Sequence, residues 1–105
     1  MTPKEIKQNM SIPDWTILDG HEGGKDIIDD KGVFLFEVNS EEYSSDTDRS
    51  NLFAIVTAVN GTYGVGIDPC RVSDMVKMLQ NISEHHSTNP ITRNSIKSLL
   101  NSAKL

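Results

Sequence analysis

The stretch Asp26–Val38 constrains the fold most. Asp26-Ile27-Ile28 leads into the turn Asp29-Asp30-Lys31-Gly32 and then into Val33-Phe34-Leu35-Phe36-Glu37-Val38. β-Branched and aromatic residues on either side of a Gly-containing turn read as a β-hairpin. Side chains alternate across a strand, so Phe34, Phe36 and Val38 share one face and Val33, Leu35 and Glu37 the other. The first face is expected to be the core. An isolated hairpin is marginal in water and needs another strand or a helix. Trp15-Thr16-Ile17-Leu18 offers the strand, and much of the remaining chain offers helices.

Thr2-Pro3-Lys4-Glu5 has the form of a capping box with proline at the first helical position. It opens a short helix over about 2–12, with Ile6 and Met10 on one face, which Pro13 ends. Asp68 as N-cap and Pro69 in the first turn begin a helix over about 69–84. Its Val72, Met75, Val76, Leu79 and Ile82 make one apolar stripe. A last helix over about 92–103 carries Ile96, Leu99, Leu100 and Ala103. The serine- and acid-rich stretch 39–50 reads as a mobile loop.

The segment 51–67 supports two readings. Asn60-Gly61 between apolar runs is a hairpin signal. Leu52, Ile55, Val56 and Val59 at i, i+3, i+4 and i+7 instead describe a helix, capped by Asp48 or Ser50 and closed by Gly61 at C′. Periodicity leaves both open. The expected fold is therefore α+β, one domain over 1–105. It has a small antiparallel sheet of three strands, or five with the second hairpin, on the hairpin region 15–38, packed against two or three helices. The expected core is Trp15, Ile17, Phe34, Phe36, Leu52, Ile55, Val56, Val59, Val72, Met75, Val76 and Leu79. With 36% apolar residues it should be thin.

Charge is distributed unevenly. Between Asp14 and Asp48 eleven carboxylates face only Lys25 and Lys31, a net of −9, whereas Cys70–Leu105 carries +3. Such an acidic half repels phosphate and attracts basic surfaces. Asp26, Asp29, Asp30, Glu41, Glu42 and Asp46 are the candidate partner-binding residues, set against the bland alternative of a solvated acidic face. The partner implied is a protein with a basic surface. Direct nucleic-acid contact is disfavoured by the charge, although Arg71, Lys77, Arg93 and Lys97 could form a modest basic face. A homodimer is a further option, because an apolar face on a thin core can be a subunit contact.

No catalytic constellation, metal site or cofactor motif is expected. Adjacent histidines on a helix, His85 and His86, point about 100° apart and cannot easily share an ion. His21 lies in a polar loop. Cys70 sits in a first helical turn without a nearby base and reads as a buried structural cysteine. Gly61–Gly66 and Gly20–Lys25 lack the lysine and hydroxyl pattern of a phosphate loop. The apolar runs are too short to span a bilayer, and a lone cysteine makes no internal disulfide, so a cytoplasmic setting is expected.

The run Asp48–Asn60, with Trp15 ahead of it and Pro69–Leu79 behind, resembles short early-region accessory proteins of temperate bacteriophages. In those proteins a lone tryptophan opens a small hairpin, and an asparagine-flanked helix and a valine- and leucine-rich helix follow. Trp15, Asn51, Ile55, Ala58 and Asn60 carry the match, which spans about 15–82; the glycines of 61–67 depart from the usual short connection. The resemblance implies a helix over the ambiguous segment and an accessory role during infection, with no active site to transfer. The function expected is a small non-enzymatic protein-binding factor, phage- or prophage-encoded, that modulates or inhibits a host complex, such as a defence nuclease, through its acidic face. A nucleic-acid-associated regulator and an unrecognised enzyme are the alternatives.

Overall fold

The computed structural model describes residues Met1–Leu105, which form two compact units, Met1–Pro69 and Cys70–Leu105. The fold is α+β, with one three-stranded antiparallel sheet and four α-helices.

In the first unit, α1 (Pro3–Asn9) begins as its sequence requires. The Thr2 hydroxyl accepts from the Glu5 amide (3.2 Å) and donates to the Glu5 carboxylate (3.0 Å). The helix closes at Met10, before Pro13 is reached. Strands β1 (Thr16–Asp19), β2 (Lys25–Ile28) and β3 (Phe34–Val38) form a meander in the order β1-β2-β3. Ile27 lies opposite Ile17 and Phe36, while Ile28 lies opposite Thr16 and Phe34. Leu35 is thus the extra residue of a β-bulge.

The bulge corrects the expected face assignment. Leu35 joins Ile17 and Val38 against the core, whereas Phe34 is turned to the opposite face and stands exposed. Phe36 stays on the Ile27 side but lies at its rim, edge-on to the Trp15 ring at 6.4 Å.

The ambiguous segment is a helix, α2 (Asp46–Gly61), so the sheet gains no further strands. It begins inside the expected loop, because Ser45 and Asp48 form a reciprocal capping box (Asp48 N to Ser45 Oγ, 3.0 Å), not with Ser50 or Asp48 as N-cap. Residues 39–45 are also organised. Asn39 and Glu42 exchange side-chain-to-backbone bonds around a 3-10 turn at Glu41–Tyr43. Gly61 ends the helix without a left-handed conformation; Gly66 (φ 76°) takes that role one turn later.

Leu52 and Val56 on α2 are buried against Ile27, which is fully buried, with Trp15, Ile17, Leu35, Val38 and Tyr43 packed around them. Each fully buried aliphatic side chain contributes about 1.5–3 kcal/mol, so this small cluster holds the unit together. Ile55 and Phe53 lie about 80° to either side of the Leu52–Val56 line and remain exposed, contrary to the core assignment of Ile55.

The second unit is a helical hairpin. A 3-10 turn over Pro69–Arg71 precedes α3 (Val72–Glu84), and α4 (Pro90–Ser102) packs against it. α4 starts two residues before its expected Thr92, because Asn89 caps the Ile91 amide (2.8 Å) and Pro90 occupies the first turn. Val72, Met75 and Val76 are exposed rather than core, and the buried residue of α3 is Ser83. No helix is long and apolar enough to cross a membrane.

Candidate functional site

Strand alternation gives the sheet two faces with different chemistry. The inner face holds Ile17, Ile27 and Phe36 together with the Asp19–Lys25 cross-strand ion pair. The outer face holds Thr16 and Leu18 on β1, Asp26 and Ile28 on β2, and Phe34 and Glu37 on β3. On it Leu18 is 44% and Phe34 56% exposed. Asp26 and Glu37 are direct cross-strand partners. Like charges placed opposite one another destabilise a sheet by about 0.2–1 kcal/mol, so folding alone does not favour this pair.

The basic groups within the acidic region turn inward. Lys25 is bonded to Asp19 and lies over the Tyr43 ring at 5.2 Å. Arg49 approaches the same ring at 6.0 Å, pairs with Asp46 and donates to the carbonyls of Ser44 (3.0 Å) and Tyr43 (3.4 Å). The hydrogen bond from Lys25 holds the Asp19 carboxyl below its ordinary range, and the same bond raises Lys25. The outer face is left without a compensating cation of its own.

The six acids singled out from the sequence do not form one cluster. Asp29 and Asp30 occupy the β2–β3 turn, while Glu41, Glu42 and Asp46 follow β3 at the other end of the sheet. The four residues of β2 set these ends about 13 Å apart along the strand. Asp26 lies between them, on the outer face.

Three of the six have local structural work. Asp29 accepts from the amides of Lys31 and Val33 (2.9 Å each), Glu42 from the Asn39 amide (3.2 Å), and Asp46 from Arg49. Asp30 and Glu41 are exposed. Sequence reasoning missed Leu18 and Glu37, and it placed Phe34 in the core. The alternation of β1, with Trp15 and Ile17 inward, is the signal that could have found Leu18.

The remaining candidates are more plainly placed. His21 is exposed beside Glu22 (3.5 Å), and His85 stacks on His86 (ring centroids 4.7 Å) at the end of α3. Cys70 is exposed, which corrects its expected burial, because α3 proper starts beyond it. No group of three or more His, Cys, Asp or Glu side chains converges as a metal site. Of the four bases expected to form a basic face, Arg93 donates to the carbonyls of His85 (2.9 Å) and Thr88 (3.3 Å), and Arg71 pairs with Asp74 (3.2 Å). A groove of about 420 Å³ between α1 and the segment after α2 is lined by Lys4, Lys7, Tyr63 and Ile67, and there Lys7 donates to the Tyr63 carbonyl (2.6 Å).

No family model, curated protein or solved structure matches the chain.

Proposed function

We propose that the protein is a small non-enzymatic accessory factor, phage- or prophage-encoded and acting in the cytoplasm, that docks on a basic protein surface through the outer face of its sheet. The partner would be a host complex that it modulates or inhibits, a defence nuclease being one such target. The observation that carries the reading is the composition of that face. Leu18 and Phe34 are exposed apolar groups, and Asp26 and Glu37 beside them are held as a like-charged pair. Protein interfaces combine an apolar or aromatic centre with a polar rim, and a charged rim steers a complementary partner. The acidic ends of the sheet, Asp30 at one and Glu41 at the other, extend the negative rim.

The nucleic-acid reading has less support, since Arg93 is committed to the α3–α4 connection and Arg71 to Asp74. Affinity capture from a bacterial host lysate tests the proposal. Wild type should retain a basic protein that an Asp26→Lys/Glu37→Lys double variant loses. Recovery of the same protein by both would remove the outer face from the account.

A further inference from the structure

The hairpin Cys70–Leu105 carries more apolar side chain than its two helices bury. Ser83, 4% exposed, is the buried residue of α3, while Met75, Met78 and Ile82 are 46%, 65% and 39% exposed. At 100° per residue these three follow one another at i, i+3 and i+7 along one seam, and Val72 and Val76 flank it. Lys77 projects from the opposite side of the helix.

The order of the apolar positions is palindromic. About Lys77, Val72 mirrors Ile82, Met75 mirrors Leu79 and Val76 mirrors Met78. Reversed and laid against itself, α3 therefore presents an apolar residue wherever it meets one. The ends are complementary in charge: Arg71 stands at the start of the helix and Glu84 at its last residue, so antiparallel copies bring each beside its opposite. This is the self-complementarity that a two-fold interface requires.

We propose that the exposed α3 face is a homodimer seam, occupied by α3 of a second copy running antiparallel across a two-fold axis near Lys77. The five exposed side chains offer on the order of 400 Å² per copy, about 800 Å² for the pair. Flanking contacts bring the total to the lower end of specific interfaces, so the dimer is reversible and concentration-dependent. The surface is separate from the outer sheet face, and its test does not depend on the partner proposed for that face.

Sedimentation velocity of the full chain, from low micromolar to near-millimolar concentration, should move from 11.6 kDa towards twice that mass. Met78→Glu, at an exposed position, should stay monomeric over the whole range with an unchanged circular dichroism spectrum. Positions 70 and 84 mirror one another about Lys77, so Glu84→Cys under mild oxidation with diamide should form a disulfide with the native Cys70 of the other copy. Within one chain the length of α3, about 20 Å, prevents that bond. A monomer at every concentration would overturn the proposal. So would a Met78→Glu variant that dimerises like wild type, or a Glu84→Cys variant that yields no covalent dimer.

Discussion

Asn60 provides the sharpest test of how the first unit is held together. Its side-chain oxygen accepts from the Trp15 amide at 2.7 Å, and its side-chain nitrogen donates to the Trp15 carbonyl at 2.9 Å. One amide group thereby ties the last turn of α2 to the residue that leads into β1, bridging 45 positions of sequence. Asn60→Ala removes both bonds and leaves a partly buried backbone N–H and C=O without them. A typical net hydrogen bond is worth about 1 kcal/mol and an unsatisfied buried group costs about 1–3 kcal/mol. The expected loss is about 2–3 kcal/mol, or about 10–20 °C in Tm for a chain of this size.

Trp15 is the sole tryptophan, so its fluorescence during urea denaturation reports on the affected site directly. Asn60→Asp adds a second readout. The carboxylate can accept from the Trp15 amide but opposes the carbonyl, whereas the protonated acid can donate to it. Its stability deficit relative to wild type should therefore shrink as pH falls. An Asn60→Ala loss below about 0.5 kcal/mol, the scale of an ordinary surface substitution, would refute the reasoning.

Other perturbations have similarly direct outcomes. Glu37→Lys should raise stability by about 0.2–1 kcal/mol in urea denaturation, because it turns a like-charged cross-strand pair with Asp26 into an attractive one. Ser45→Ala should lower stability by about 1 kcal/mol through loss of the α2 cap, seen as a reduced thermal midpoint. In Gly24→Ala the new methyl would lie 2.6 Å from the Val38 carbonyl oxygen, forcing β2 and β3 apart; a loss of about 1–3 kcal/mol is expected in the same assay. The Asp19 carboxyl is depressed by its bond from Lys25, so its contribution is present above the unfolded carboxyl's titration and fades as pH falls through the folded one. Asp19→Asn should flatten that acid limb in a series of denaturation curves against pH. Lys25 is raised, so its contribution is present below its unfolded titration and is lost only as pH rises through the folded one.

Much of this fold is legible in local chemistry. Thr2-Pro3, the hairpin turn and the Leu52–Val56 spacing each specify the element that forms. The bulge at Leu35 is not legible, because strict alternation assumes an unbroken register. One extra residue was enough to exchange the positions assigned to Phe34 and Leu35. The start of α2 was hidden because Ser45 and Asp48 lie in a stretch whose composition resembles a loop, although their three-residue spacing is that of a cap. On α3 the apolar stripe was read correctly, but its burial was not: periodicity shows that side chains share a face and is silent about what covers it. The candidate site was legible only as a charge imbalance. Its location on the outer face depends on strand pairing, which brings Asp26 and Glu37 together from eleven residues apart.

The central claim, that this face binds a basic protein, is tested most directly by titration calorimetry with the captured partner across a range of salt concentrations. Phe34→Ser should weaken binding at least tenfold while leaving its salt dependence intact. Asp26→Lys/Glu37→Lys should weaken it and flatten the salt dependence. Wild-type affinity and salt dependence in both variants would contradict the account.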